Sequence, residues 1–447
     1  MPAPTPAQTV LAPGFSAATF DTFLATRQEP DWLVDLRRAA WQKFQELPFP
    51  SQRDEEWMRT DIRLLRLDRY SPLAEPAADQ SVPGQAAPEP LLAAGLDLAG
   101  QTVTLDSRST RAHLSERWAS QGVLYGSLDA LVTSHGELLQ PHLLRKVVDP
   151  MQDKFAALNA AFWSGGTVLY VPRGVSVTEP LHAFSAMTDG GVDLGRMLVV
   201  LEEGAEATLV CETGSSTATA GGLHCGAIEL IVNPGARLRY VNLQHWGSGV
   251  WHFAHQKALV DRGAQLQWTI GALGSRLAKV NQHVALIGSD ATAQVNGVMF
   301  TEGKQHLSYH TLQHHAAPYC KSDLLYKTAL QDKSRTVWRG MIKVDKAAQK
   351  TDGYQRNDNL MLSASARADS IPGLEIQADD VRCTHGSTSG RVDQEQIFYC
   401  RSRGLTRNEA VRMIVAGFFQ QVFDRITIGS VREALGQAIG RRIREYD

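Results

Sequence analysis

Four short stretches decide the fold: Glu203-Gly204-Ala205-Glu206-Ala207, Pro234-Gly235-Ala236-Arg237-Leu238, Arg262-Gly263-Ala264-Gln265-Leu266 and Ser289-Asp290-Ala291-Thr292-Ala293. Each sets a tight turn before an alternation of polar and apolar residues. Positions 204, 235, 263 and 290 lie 31, 28 and 27 residues apart. Apolar runs precede several of them, such as Met197–Leu201, Ile228–Val232 and His283–Ile287. Short strands recurring at a near-constant period with no helix between them are the pattern of a solenoid whose coils stack on one another. A parallel β-helix fits best, and a β-sandwich is the second reading, because regular strand spacing alone does not separate the two. The glycines need no function to be explained, since a corner asks for positive φ and glycine adopts it without strain.

Outside the solenoid the period changes. Helical spacing runs from Phe20 to Leu47, after which Leu47–Trp57 breaks it and leads into a short further helix. Phe155–Phe162 reads as an amphipathic helix. Beyond Gly390, Asp393 is placed to cap a helix that Gly404 ends, while Thr406-x-x-Glu409 and Ser430-x-x-Glu433 both read as capping boxes. The last helix ends in Arg441, Arg442 and Arg444, where cations suit the helix dipole. The expected organisation is a disordered tail over 1–14 and an N-terminal helical region with linker over 15–92. A mixed connecting region over 93–164, a β-helix core over 165–390 and a C-terminal helical domain over 391–447 follow.

Composition narrows the function. Over 447 residues, 45 Lys and Arg nearly balance 47 Asp and Glu, so no basic field exists to attract nucleic acid. The five cysteines, Cys211, Cys225, Cys320, Cys383 and Cys400, are odd in number and form no C-x-x-C pair, which suits a reducing compartment. Met1-Pro-Ala-Pro-Thr-Pro shows neither a basic nor an apolar leader segment, and no run is long enough to span a membrane. A cytoplasmic protein is expected. No Walker A motif, G-x-S-x-G elbow or dinucleotide fingerprint follows a strand.

Chemistry concentrates in Asp379-Asp380-Val381-Arg382-Cys383-Thr384-His385-Gly386, read as β-strand. Cys383 and His385, two residues apart, then share a face and offer a thiolate and an imidazole, ligands suited to iron or zinc. Two ligands do not close a four-coordinate site, so a partner surface would supply the rest. The bland alternative is a half-buried thiol and a hydrogen-bonded imidazole. His306, His310 and His314 also share a strand face, near His315 and Cys320, yet their Ser, Thr and Gln neighbours suit a polar face that bonds to itself. Asp379 and Asp380 suggest a carbohydrate-cleaving β-helix, but adjacent strand residues face opposite sides.

The chain resembles the SufB/SufD family, scaffold subunits of the Suf iron–sulfur cluster machinery. The resemblance rests on Pro50-Ser-Gln-Arg-Asp-Glu-Glu-Trp57, Asn159-Ala-Ala-Phe-Trp-Ser-Gly-Gly166 and Tyr170-Val-Pro-Arg-Gly-Val175. It continues through Asp332-Lys-Ser-Arg335, Gly340, the Gln355-x-Asn357-x-Asn359-Leu360 run and the long stretch Pro372–Gly386. It implies a mainly β fold, a right-handed parallel β-helix flanked by N-terminal and C-terminal α-helical domains. It also implies a non-catalytic scaffold that pairs with SufB through the β-helix and binds the SufC ATPase through its C-terminal helices. A nascent iron–sulfur cluster would sit at the shared interface with His385 as ligand and Cys383 in support; reduced FAD is associated with the family complex. Gly386, where SufB-type chains tend to carry an acidic residue, places the resemblance in the SufD branch. A SufB-like homodimeric scaffold is the alternative, and the isolated chain could itself form homodimers.

Overall fold

The computed structural model describes residues 14–72, 89–93, 95–144 and 147–443. The expected tail before Gly14 and most of the expected 71–92 linker lie outside these residues, as does Arg444.

From Arg196 onward the chain alternates between two sheets, and each strand pairs in parallel with the next but one. One sheet runs through Glu206–Ser215, Arg237–Gln244, Gln265–Ala272, Thr292–Thr301, Lys321–Leu330, Asp352–Met361 and Arg382–Arg391. The other runs through Gly221–Val232, Gly249–Val260, Leu277–Leu286, His306–His315, Arg335–Val344 and Arg367–Ile376. A sandwich would join sequential strands as antiparallel neighbours. The parallel ladders therefore decide for the β-helix, with about eight coils.

The repeat that marks the fold is a stack of corners. Gly174, Gly204, Gly235 and Gly263 take φ of 63–70°, and Asp290, Tyr319 and Lys350 continue the column at 61°, 61° and 62°. Each corner N–H donates to a carbonyl of the next coil: Gly204 to Pro234, Gly235 to Arg262 and Gly263 to Ser289, all at 2.9 Å. Tyr319 to Gln349 at 2.9 Å extends the same ladder into coils that lack the glycine. Turn residues thus satisfy their own backbone across coils, which lets every coil close with so short a corner.

Alternate residues point into the lumen. One inward column reads Leu209, Tyr240, Trp268, Val295 and Leu324, all at most 1% exposed, and then turns polar at Gln355 and ends at His385. This column is apolar over its first five coils and becomes polar only toward the last, while Gln282, Gln313 and His315 bring polar groups into the lumen from the opposite sheet.

Helices cover both outer faces. Phe20, Phe23, Trp41 and Phe44 pack with Phe155, Phe162, Trp251 and Phe253 over one sheet. The Phe20–Leu47 stretch is two helices, Ala17–Ala25 and Asp31–Glu46, because Pro30 sits at the second N-cap and has no N–H to continue the first. After Leu47 the chain runs through turns to a single 3₁₀ turn at Leu67–Arg69 in place of the expected short helix. The Lys154–Phe162 helix is buried at all nine positions, so it is not amphipathic: it lies between the N-terminal helices and the sheet.

The C-terminal helices Gln394–Ser402, Arg407–Phe423 and Gly429–Arg442 fold back along the other sheet. Val411, Val415, Phe419 and Leu435 pack on its outward Val241, Leu243, Val298 and Leu325. Asp393 and Thr406 cap as expected, and Thr406 with Glu409 forms a complete capping box. The Ser430–Glu433 box does not form. That helix starts at Gly429 with Ile428 at the N-cap, and the Ser430 hydroxyl is buried without a partner.

Candidate functional site: the open end of the solenoid

Cys383 and His385 lie on Arg382–Arg391, the last strand of its sheet, which is paired on one edge only. Their register partners are Gly353 and Gln355, both buried and inward-facing. The thiol and the imidazole therefore share the inward side, about 7 Å apart along the strand by the rise per residue. Asp379 and Asp380 are not on that strand. They form the exposed corner before it, where Asp380 pairs with Lys350, so they offer no converging carboxylates.

The surroundings of the two ligands differ. Cys383 packs on Ile342, Val344, Ala348 and Ala378, and burial raises its thiol pKa. Sγ lies 3.3 Å from where a side chain on Gly353 would begin, so a larger residue there would press on the thiol and on Ile342. His385 is exposed and makes no hydrogen bond to the described residues. An open imidazole beside a protonated, half-buried thiol makes the imidazole the readier ligand, because the thiol must first lose its proton.

Facing them across the lumen mouth is Arg367–Ile376. Its Leu374 and Ile376 are 38% and 40% exposed. Beneath lies a polar floor: the Asn359 amide donates to Asn357 Oδ1 at 2.8 Å, Ser370 Oγ at 3.0 Å and Ser389 Oγ at 3.1 Å, and Ser370 Oγ donates to Asn357 Oδ1 at 2.6 Å. This network ties the last strands together, while Gln355 Oε1 and Asn357 Nδ2 stay buried without a partner among the described residues. The C-terminal helices lie along the solenoid flank, so they do not cap this end, contrary to the helical cap that their position in the chain suggests. Two unpaired strand edges, exposed apolar side chains and two metal-competent groups therefore meet on one surface.

Among the described residues, no three His, Cys, Asp or Glu side chains gather closely enough to hold a metal ion. The histidines near 310 disperse. His306, His310 and His314 face outward, with His310 against Lys279 Nζ at 2.8 Å and His314 Nε2 against Asp345 at 2.9 Å. His315 points inward to Ser322 Oγ at 2.7 Å, and the Cys320 thiol donates to the Gly288 carbonyl at 3.2 Å.

The polar floor itself went unread in the sequence, where Gln355, Asn357 and Asn359 were visible only as a run of amides at alternate positions. Their spacing of two was the available signal, since it places all three on one strand face.

Comparison with known proteins agrees with this architecture. Residues 184–418 match the family model for the SUF system FeS cluster assembly, SufBD core domain, and residues 96–183 match the SufBD protein N-terminal region. The chain is 27% identical over 405 residues to the iron-sulfur cluster assembly protein SufB of Bacillus subtilis, covering 88% of this chain and 86% of that protein. It is 26% identical, with the same coverage, to an iron-sulfur cluster assembly SufBD family protein of Staphylococcus haemolyticus. With the core model spanning the coils that carry the corner stack, the polar floor and the open end, the chain belongs to the SufBD family of the SUF system for iron–sulfur cluster assembly.

Proposed function

We propose that this protein is a SufD-type, non-catalytic scaffold subunit, and that a nascent iron–sulfur cluster is assembled where its open end meets a SufB solenoid. The observation that carries the reading is the end of one inward column: an apolar series that turns to Gln355 and terminates in the unpartnered, exposed His385. His385 acts as a cluster ligand and Cys383 supports it. The incoming solenoid supplies the missing donors and covers Leu374 and Ile376. The β-helix over 165–390 carries this interface, and the helical domain over 391–447 docks the SufC ATPase, whose nucleotide cycle moves the two solenoids relative to each other. The setting is cytoplasmic. Reduced FAD rests on the family resemblance alone.

A second reading is a homodimeric, SufB-like scaffold. It is favoured by the Bacillus subtilis relative's name and by an open end that can meet its own copy about a two-fold axis. Anaerobic purification of the tagged chain from its host, with iron and acid-labile sulfide assayed beside His385→Ala, tests the site. The expected outcome is a variant complex that keeps its partners and loses most of its cluster. Equal cluster in both would make His385 structural, and recovery of a cluster-bearing homodimer would favour the second reading.

A further inference from the structure

On the outward face of the opposite sheet, reaching Glu375 on the back of the strand that edges the lumen mouth, lies a cavity of about 350 Å³, within the size range of small-ligand sites. Its floor is built from successive coils: Lys257, His283, Leu312 and Met341 occupy one outward column, stacked strand to strand. Glu56, Val148 and Gln152 from the flanking segments wall it in.

Cations outnumber carboxylates in the lining, where Lys257, Arg339 and Lys343 stand with Glu56 and Glu375. Lys257 is half-buried and makes no hydrogen bond or ion pair with the described residues, although Asp149 and Glu229 lie near enough to favour its charge. The carboxylate nearest to it in register, Glu229, is already held by the Val148 N–H at 2.8 Å and by Arg196 at 2.9 Å. The Nε2 of His283 is buried with no partner, and Lys257, Lys343 and His314 surround that imidazole. Burial first, and then its charged neighbours, hold its pKa at about 3, so it stands neutral in the cavity wall. Lys343 and Arg339 are tied only to exposed partners, to Glu375 at 3.3 Å and to Glu55 at 2.7 Å. Pairs of that kind are weak enough to exchange for a better anion. A half-buried ammonium with no hydrogen-bond partner in the fold gains from an anion that pairs with it, and the surplus of cations in the lining selects that charge. Leu312 and Met341 leave room for an apolar body behind the charge.

We propose that this cavity binds a small organic anion, a phosphate monoester or a carboxylate with an apolar body, through Lys257 and His283. The site is separate from the lumen mouth, so the proposal goes beyond the scaffold role and stands or falls without it.

Calorimetric titration of the full chain at low ionic strength, with phenyl phosphate, inorganic phosphate, benzoate and benzyl alcohol as probes, tests this. One phenyl phosphate or benzoate is expected to bind per chain, at least tenfold tighter than benzyl alcohol. Preference between the two anions identifies the headgroup. Inorganic phosphate bound as tightly as phenyl phosphate would remove the apolar body from the proposal. Lys257→Gln and His283→Phe should each weaken anion binding by tenfold or more, with circular dichroism confirming the fold, while His385→Ala leaves it unchanged. Where a charge variant fails to fold, the cavity-filling Leu312→Trp takes its place and should abolish binding. No saturable binding of any anion, equal affinity in the variants, or benzyl alcohol binding as well as the anions would overturn the proposal.

Discussion

Gly340 shows how closely the lumen is fitted near the open end. A Cβ there would stand 2.2 Å from the Trp338 ring and 2.5 Å from Gln355 Oε1, and neither neighbour is free to move, since both are buried among packed coils. Gly340→Ala is therefore expected to cost about 1–3 kcal/mol as an overpacked core does. Urea unfolding followed by tryptophan fluorescence measures it, and a loss below about 0.5 kcal/mol would mean that the lumen relaxes around the methyl group. The sequence identified Gly340 only as part of a family motif. Its physical role depends on a tryptophan two residues earlier and a glutamine on the neighbouring strand, which become neighbours only when the coil closes. By contrast, Cys383 and His385 were legible as a same-face pair, because strand alternation is local. That Cys383 is half-buried and His385 open was not legible, because it depends on Ile342 and Val344 one strand away.

Among the elements, the Gln394–Ser402 and Arg407–Phe423 helices carry the clearest outward signal. Phe398, Tyr399 and Met413 are 74%, 60% and 52% exposed, while Val411, Val415 and Phe419 on the other side of the same helices are buried against the sheet. Large apolar side chains left in water on one local patch mark an interaction surface. Under the proposed function, that surface takes the ATPase partner. Phe398→Ser with Met413→Glu is expected to weaken co-purification of the partner at least tenfold and to leave the melting temperature within about 2 °C, since exposed substitutions seldom shift stability by more than about 0.5 kcal/mol. A cooperative loss of folding would instead show that the patch is core. The Thr406 capping box was legible because its four residues are contiguous. The matching Ser430 pattern misled because the chain turns into its helix at Ile428, where the preceding packing sets the start.

At the scale of the molecule, the acid response follows from buried imidazoles. Burial depresses His224 and His283 to about 3 and His245, His306 and His315 to about 4, well below the ordinary value of 6.5. In the unfolded chain these groups take up protons as pH falls through 6.5, while in the folded chain they do not until about 3–4. The unfolded state therefore binds more protons across that window, and stability falls as pH drops from about 6.5 toward 4. Asp193 opposes this. Its buried carboxyl, raised to about 7, holds a proton in the folded state that the unfolded chain releases above its ordinary value of 3.8. Asp129, also raised by burial, adds to that opposition, but His252 and His310 are depressed as well, so seven imidazoles against two carboxyls leave the imidazoles dominant. The urea midpoint at pH 5 should lie below that at pH 7, and Asp193→Asn should steepen the decline. A midpoint that rose on acidification would show that Asp193 outweighs the imidazoles.

The sequence by itself determined the repeating corners, the coil length and the strand on which Cys383 and His385 share a face. Corner turns and polar–apolar alternation are local, and they repeat at 204, 235, 263 and 290 with little help from distant residues. The continuation of the corners at Tyr319 and Lys350 was hidden, because there the stack of hydrogen bonds between coils, not glycine, enforces the positive φ. Only the tertiary structure decided that the C-terminal helices lie along the flank and leave the last coil open. It alone joined Lys257 to His283 across 26 residues, since burial and strand stacking are properties of the closed coils and have no counterpart in any short stretch of chain.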